Sequence, residues 1–201
     1  MDMPDFPDAP SVTFDFMTRP KFGFAEPGDV VVGGWDNDRF VICMADGTGH
    51  GRPAAEAARR VRQAVAEPAG RSIGHLFEDL ETSLQATLGA AVSIVIIDPR
   101  KGWIECAGVG NVQILISGEA TSSCPLRPGI VGRRARPPYI TKRAVTRSEV
   151  ILLATDGVRV SSLRRFGEIP RGSITGAARR IVEGFGKKHD DVGCALAKIG
   201  G

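Results

Sequence analysis

Two apolar runs in this chain end alike. Phe40-Val41-Ile42-Cys43-Met44-Ala45 stops at Asp46-Gly47, and Val150-Ile151-Leu152-Leu153-Ala154 stops, one threonine later, at Asp156-Gly157. Short, nearly continuous apolar runs bounded by turn residues read as buried strands. Val30-Val31-Val32 leads into Gly33-Gly34-Trp35, and Asp36-Asn37-Asp38 supplies turn chemistry, so residues 29–45 read as a β-hairpin. Ala54, Ala57, Ala58, Val61 and Val65 recur at helical spacing behind Pro53, predicting a helix over 53–66 with Arg59, Arg60 and Arg62 off its apolar face. Leu76, Leu80, Leu84 and Leu88 predict a second helix, capped by Ser72.

Residues 91–97, 103–107 and 112–116 are short apolar runs separated by turns, and read as an antiparallel meander. Residues 139–145, 150–154 and 192–199 add three strands, and 160–166 and 173–185 add two helices. The acidic, Pro-rich residues 1–11 read as a tail, 12–25 as an edge strand, and the Gly- and Pro-rich stretch 117–138 as loop. Strands and helices come in blocks rather than strict alternation, which favours an α+β fold in layers over a doubly wound sheet. With 201 residues, 12–201 is expected to form one domain.

Charge is unevenly spread. Residues 1–100 carry nine Lys/Arg against fifteen Asp/Glu, and residues 101–201 seventeen against eight. That pattern suggests an acidic centre in one half and a basic, partner-facing surface in the other. Aromatic residues make up only 6%, and no basic stretch is interleaved with stacking side chains, so nucleic acid is not expected as a partner. No apolar run approaches the ~20 residues of a membrane helix. The N-terminus is the opposite of a signal peptide, and a cytoplasmic protein without membrane partners is expected. Cys43, Cys106, Cys124 and Cys194 form no C-x-x-C pair, and reduced core cysteines are the default expectation.

The acids share an address. Asp46 and Asp156 end apolar strands, Asp29 precedes one, and Asp190-Asp191 precede the last. Strand ends are rigid, so acids there can converge across a sheet. Buried unpaired carboxylates are costly, and a hard cation such as Mg²⁺ or Mn²⁺ offsets that cost. The plain alternative is that each Asp-Gly merely opens a turn.

A resemblance bears on that choice. Gly28-Asp29, then Met44-Ala45-Asp46-Gly47-Thr48-Gly49-His50-Gly51 with Ala54-Ala55 behind, resembles the opening of the SpoIIE-type metal-dependent (PPM) serine/threonine phosphatases. Ala154-Thr155-Asp156-Gly157-Val158 resembles their later metal motif and Asp190-Asp191-Val192 their closing one. Gly89-Ala90-Ala91-Val92-Ser93 and Val109-Gly110-Asn111-Val112 are similar to the RsbX branch, the feedback phosphatases of the bacterial stressosome. The resemblance implies an α-β-β-α sandwich with two divalent cations, Mn²⁺ or Mg²⁺, between its sheets. It implies Asp46 bridging both ions and positioning the water nucleophile, the Gly47 carbonyl on one ion, and Asp29, Asp156 and Asp190 completing the set. Asp191 is the less favoured member of its pair. Gly193 departs from the Thr or Ser of the family pattern. The implied substrate is a phosphorylated protein, a stressosome component in the RsbX-like reading.

His50 is read as loop-stabilising rather than as the general acid, because a lone His in a Gly-rich turn often bonds only backbone. Asp36-Asn37-Asp38 lacks the spacing of a calcium loop, and the glycines around Asp46 lack the Lys-Ser/Thr of a P-loop. Arg127 to Arg147 holds seven Lys/Arg and no acid. Arg133, Arg134 and Arg136 are the candidates there for docking a phosphoprotein, against the plain reading of a solvated loop. Two alternatives stand beside a protein phosphatase: a catalytically silent binding module with the same fold, and a phosphatase of a small phosphoester.

Overall fold

The computed structural model describes residues 11–118, 120–146, 149–165 and 172–200. Within them the chain builds two five-stranded antiparallel sheets. The first takes β2 (Asp29–Asp36), β3 (Arg39–Gly47), β4 (Ala90–Asp98), β5 (Trp103–Val109) and β8 (Thr141–Ala144), side by side in that order. The second takes β1 (Ser11–Arg19), β10 (Val192–Gly200), β9 (Val150–Ala154), β6 (Gln113–Ser117) and β7 (Thr121–Ser123). Helices α1 (Arg52–Val65) and α2 (Ile73–Leu84) cover the first sheet; α3 (Val160–Arg165) and α4 (Ala177–Phe185) cover the second.

The layers follow from strand periodicity. Successive side chains of a strand face opposite ways, so a strand apolar throughout must be covered on both faces. On β3, Val41, Cys43 and Ala45 pack toward α1 and α2, while Phe40, Ile42 and Met44 pack between the sheets. On β10, Ala195, Ala197 and Ile199 face the space between the sheets, and Cys194 and Leu196 face α4. The result is the expected α-β-β-α sandwich with a core in each of its three interlayer spaces. Truncating a fully buried residue such as Ile42 or Leu196 to Ala costs about 2–5 kcal/mol.

Local signals hold at several ends. Ser72 caps α2 by accepting from the His75 amide, and its hydroxyl also meets His75 Nδ1 at 3.0 Å. A proline stands in the first turn of α1. Asn37, at positive φ, makes the β2–β3 turn.

Other expectations need correction. The meander does not exist, because β6 leaves the first sheet and pairs with β9 and β7 in the second. Ile114 and Ile116 face the inter-sheet core and Leu115 faces the α4 side, so β6 is a central strand that either sheet could house. Helix α2 stops at Leu84, short of Leu88, because Thr87 Oγ1 donates to Leu84 O and accepts from the Gly89 amide. Leu88 is left 45% exposed. Residues 117–138 are not all loop, since β7 lies within them. The cysteines are not all reduced: Cys106 and Cys124 form a disulfide, while Cys43 and Cys194 are free and buried. The tail expected over 1–11 lies outside the described residues except Ser11, the first residue of β1; residue 166 and Arg147 lie outside them too. No helix among the described residues is long and apolar enough to cross a membrane.

Candidate metal centre

The hairpin of β2 and β3 sets Asp29 directly opposite Asp46. Gly47 follows because nothing larger fits: a Cβ there would collide with the Ala54 carbonyl in the first turn of α1. Gly157 has the same role on the second sheet, where a Cβ would strike the Asp191 carbonyl. The two Asp-Gly pairs are therefore close-packing devices. One seats α1 against the end of β3, and the other seats the start of β10 beside Asp156.

These contacts gather the acids at one end of both sheets. A cleft of about 580 Å³ is lined there by Asp46, Asp156, Asp190, Thr48, Asn111 and an apolar wall that includes Leu126, Pro128 and Ile130. Asp29 lies behind it, 3% exposed, with its Oδ2 accepting from Thr155 Oγ1 at 2.7 Å. Thr155 Oγ1 in turn accepts from the Gly193 amide at 2.9 Å. A Cβ on Gly193 would stand 3.2 Å from both Asp29 Oδ2 and Thr155 Cγ2, so the hydroxyl at this spot comes from Thr155. Asp191 is also buried, and accepts from the Lys21 amide at 2.8 Å. Asp190 lies 3.4 Å from Lys187 Nζ. Asp156 is exposed and accepts from Asn111 Nδ2 at 3.1 Å.

The electrostatics are those of crowded anions. Burial, then the charges of Asp156, Asp190 and Asp191, push the Asp46 carboxyl up to about 7, with Lys187 opposing. Burial, then Asp46, raise Asp29 well above the usual carboxylate range, although the Thr155 hydrogen bond works the other way. Such a donor set, all hard oxygens with more negative charge than the neighbouring cations balance, suits Mg²⁺ or Mn²⁺. Among the described residues, no three His, Cys, Asp or Glu side chains are yet drawn together closely enough to hold an ion.

His50 is exposed, off the cleft wall, with its ring 5.2 Å from that of Phe24. The three candidate docking arginines diverge. Arg133 donates to Leu88 O and, with Leu88, lines a shallow pocket that also takes in Thr87 at the end of α2. Arg136 lines a separate groove over α2. Arg134 is held through its backbone amide by Glu81. Sequence reasoning missed Asn111, Thr155 and the apolar wall. Asn111 was detectable in principle, since it too is a polar residue at the mouth of an apolar strand.

The family profile for Stage II sporulation protein E (SpoIIE) matches residues 36–192. The chain belongs to the SpoIIE family. Several solved structures share the fold of this SpoIIE-family chain. One, described with the bacterial stressosome as a modular system adapted to control secondary messenger signalling, has a TM-score of 0.86 at 24% identity, over 94% of this chain and all (100%) of that one. RsbX in complex with magnesium gives 0.84 at 18% identity, over 94% of this chain and 96% of that one. The catalytic domain of the serine/threonine protein phosphatase PstP with two manganese ions gives 0.70 at 17%, over 94% and 99%. No curated protein matches the chain. At these identities the structures establish a PP2C-like fold.

Proposed function

We propose that this chain is a metal-dependent phosphoserine/phosphothreonine protein phosphatase whose substrates are stressosome phosphoproteins. The observation that carries the reading is the convergence of Asp29 and Asp46 from one hairpin with Asp156 and Asp190 from two remote segments on one cleft end, with Asp46 facing the cleft. Solved structures that hold magnesium or manganese on the same fold support it, as does one described with the stressosome.

Asp46, the Gly47 carbonyl, Asp29, Asp156 and Asp190 would hold two divalent cations. Asp191 is the less favoured member of its pair, since its Oδ1 already accepts from the Lys21 amide. When bound, such ions activate water and neutralise phosphoryl charge. The chain's own contribution is positional. Asp46 and Asp29 are fixed by the β2–β3 register, Thr155 orients Asp29, and Asn111 orients Asp156. Leu126, Pro128 and Ile130 exclude water from one side of the cleft. The test is hydrolysis of an aryl phosphate and of phosphorylated stressosome proteins with Mn²⁺, Mg²⁺ or EDTA. Turnover that needs metal is expected; full turnover in excess EDTA, or none with any metal, would overturn the reading.

A further inference from the structure

Beside the carboxylate cleft, across the loop that carries Asp190, lies a second groove of about 540 Å³. Arg19 and the segment from Pro20 to Phe24 form one wall; Lys188 and His189 form the other. The first wall is tied to the loop that carries the second. Arg19 Nη2 donates to Lys187 O at 2.7 Å, and the Lys21 amide donates to Asp191 Oδ1 at 2.8 Å. Phe24 is braced from beneath: a Cβ on Gly51 would lie 2.7 Å from its ring, and Lys21 Nζ stands 5.8 Å from its centroid. Phe22, by contrast, is 83% exposed.

The cations of this groove have polar or aromatic neighbours but no carboxylate partner among the described residues. Among the described residues, Arg19, Lys21 and Lys188 form no ion pair, whereas Arg39, Arg60, Arg71 and Arg143 each have a carboxylate partner. A concave surface with unpaired cations and a fixed aromatic ring is complementary to an acidic chain that also carries an apolar side chain. The position adds a reason. His189 in the groove adjoins Asp190 in the cleft, so a segment held by these cations lies next to the carboxylates.

We propose that this groove docks an acidic segment of the phosphoprotein substrate, bearing a Phe or Leu side chain, a short distance along the chain from the phosphorylated residue. The inference rests on the phosphatase reading for its biological sense but not for its test.

The test uses the full chain and a labelled phosphoserine peptide carrying Glu-Asp-Phe-Glu beside the phosphosite, with two controls in which the acids become Lys or the Phe becomes Ala. Binding is read by fluorescence anisotropy without metal, where no turnover occurs. The acidic peptide should bind, each control should bind roughly tenfold more weakly, and the difference should shrink in high salt. Phe22→Ala and Lys188→Glu should each weaken the acidic peptide roughly three- to tenfold; Phe22→Ala should leave the Phe-to-Ala control unaffected, and Lys188→Glu should narrow or reverse the gap to the Lys control. With metal, the ratio of kcat/KM for peptide to that for aryl phosphate should fall by the same factor. Equal binding of all three peptides would overturn the proposal. So would tight binding to anionic phosphatidylserine vesicles with no peptide preference. Absence of turnover on every substrate would sink the phosphatase reading, while metal-free binding would still decide the groove.

Discussion

The first sheet carries buried aspartates at both ends, and the two ends behave oppositely. At the hairpin end, Asp36 (7% exposed) accepts from Arg39 and the Gly70 amide, and Asp98 (3% exposed) accepts from the Lys101 amide with Lys101 Nζ 3.5 Å away. Each has its cation three residues along the chain. At the cleft end, Asp29 and Asp46 face each other and have no such partner among the described residues. A strand-end aspartate with a local cation is a structural tie. Strand-end aspartates from remote segments that converge without one make a site awaiting external charge. Arg159, three residues after Asp156, marks the limit of the rule, because it donates to Gly184 O instead.

Substitution at each end gives the sharpest contrast. Asp46→Asn should lower kcat by at least about a hundredfold, with no loss of melting temperature in EDTA, because a repelling charge is removed. Asp36→Ala should do the reverse: turnover stays near wild type, and stability falls by about 1–3 kcal/mol as the Gly70 amide and Arg39 lose their acceptor. An active Asp46→Asn enzyme, or an inactive but stable Asp36→Ala one, would erase the distinction.

Asp190 and Asp191 divide the same way within one dipeptide. Metal affinity, read by calorimetry, should fall roughly tenfold or more in Asp190→Ala and less in Asp191→Ala. Asp191→Ala should instead lower the metal-free melting temperature, since it frees the Lys21 amide. The opposite ranking would move the ligand to Asp191.

Acidity sharpens the comparison further. Asp46 in the folded protein holds its proton up to about pH 7, against 3.8 in an ordinary carboxyl. The folded state therefore binds the proton more tightly. Its stabilising effect is complete below about pH 4 and is lost as pH rises toward 7. In EDTA, wild type should lose stability relative to Asp46→Asn between those values, as measured by melting at stepped pH. A constant difference would contradict the crowding.

The smallest effect belongs to the basic stretch. Charge reversal at Arg133 should raise KM for a phosphoprotein a few-fold, fading in high salt, and reversal at Arg136, which faces the groove over α2, should do less. Equal effects at both would restore the whole stretch as a docking surface.

Much of this was legible in the chain because burial leaves a plain mark. Val150–Ala154 is a strand at the residues its apolar run predicts, and Asp46 and Asp156 stand out as acids that interrupt such runs. What stayed hidden depends on partners far away. A strand buried on both faces has no polarity to say which sheet it joins, so β6 was misplaced. Thr155 looks like any turn residue until Asp29, 126 positions earlier, reaches it. The link between Cys106 and Cys124 has no spacing motif, and only the fold brings their sulfurs together.

The pairing of β1 with β10 joins Ser11 to Gly200 and Arg19 to Val192. Among the described residues, the one strand that pairs with β1 is β10, at the far end of the element order. The hairpins of the first sheet are local and can form early, whereas the second sheet waits for a closure spanning nearly the whole chain. Asp190 and Asp191 lead directly into β10. Damage to either partner of that pairing would therefore reach the cleft through the segment that carries Asp190.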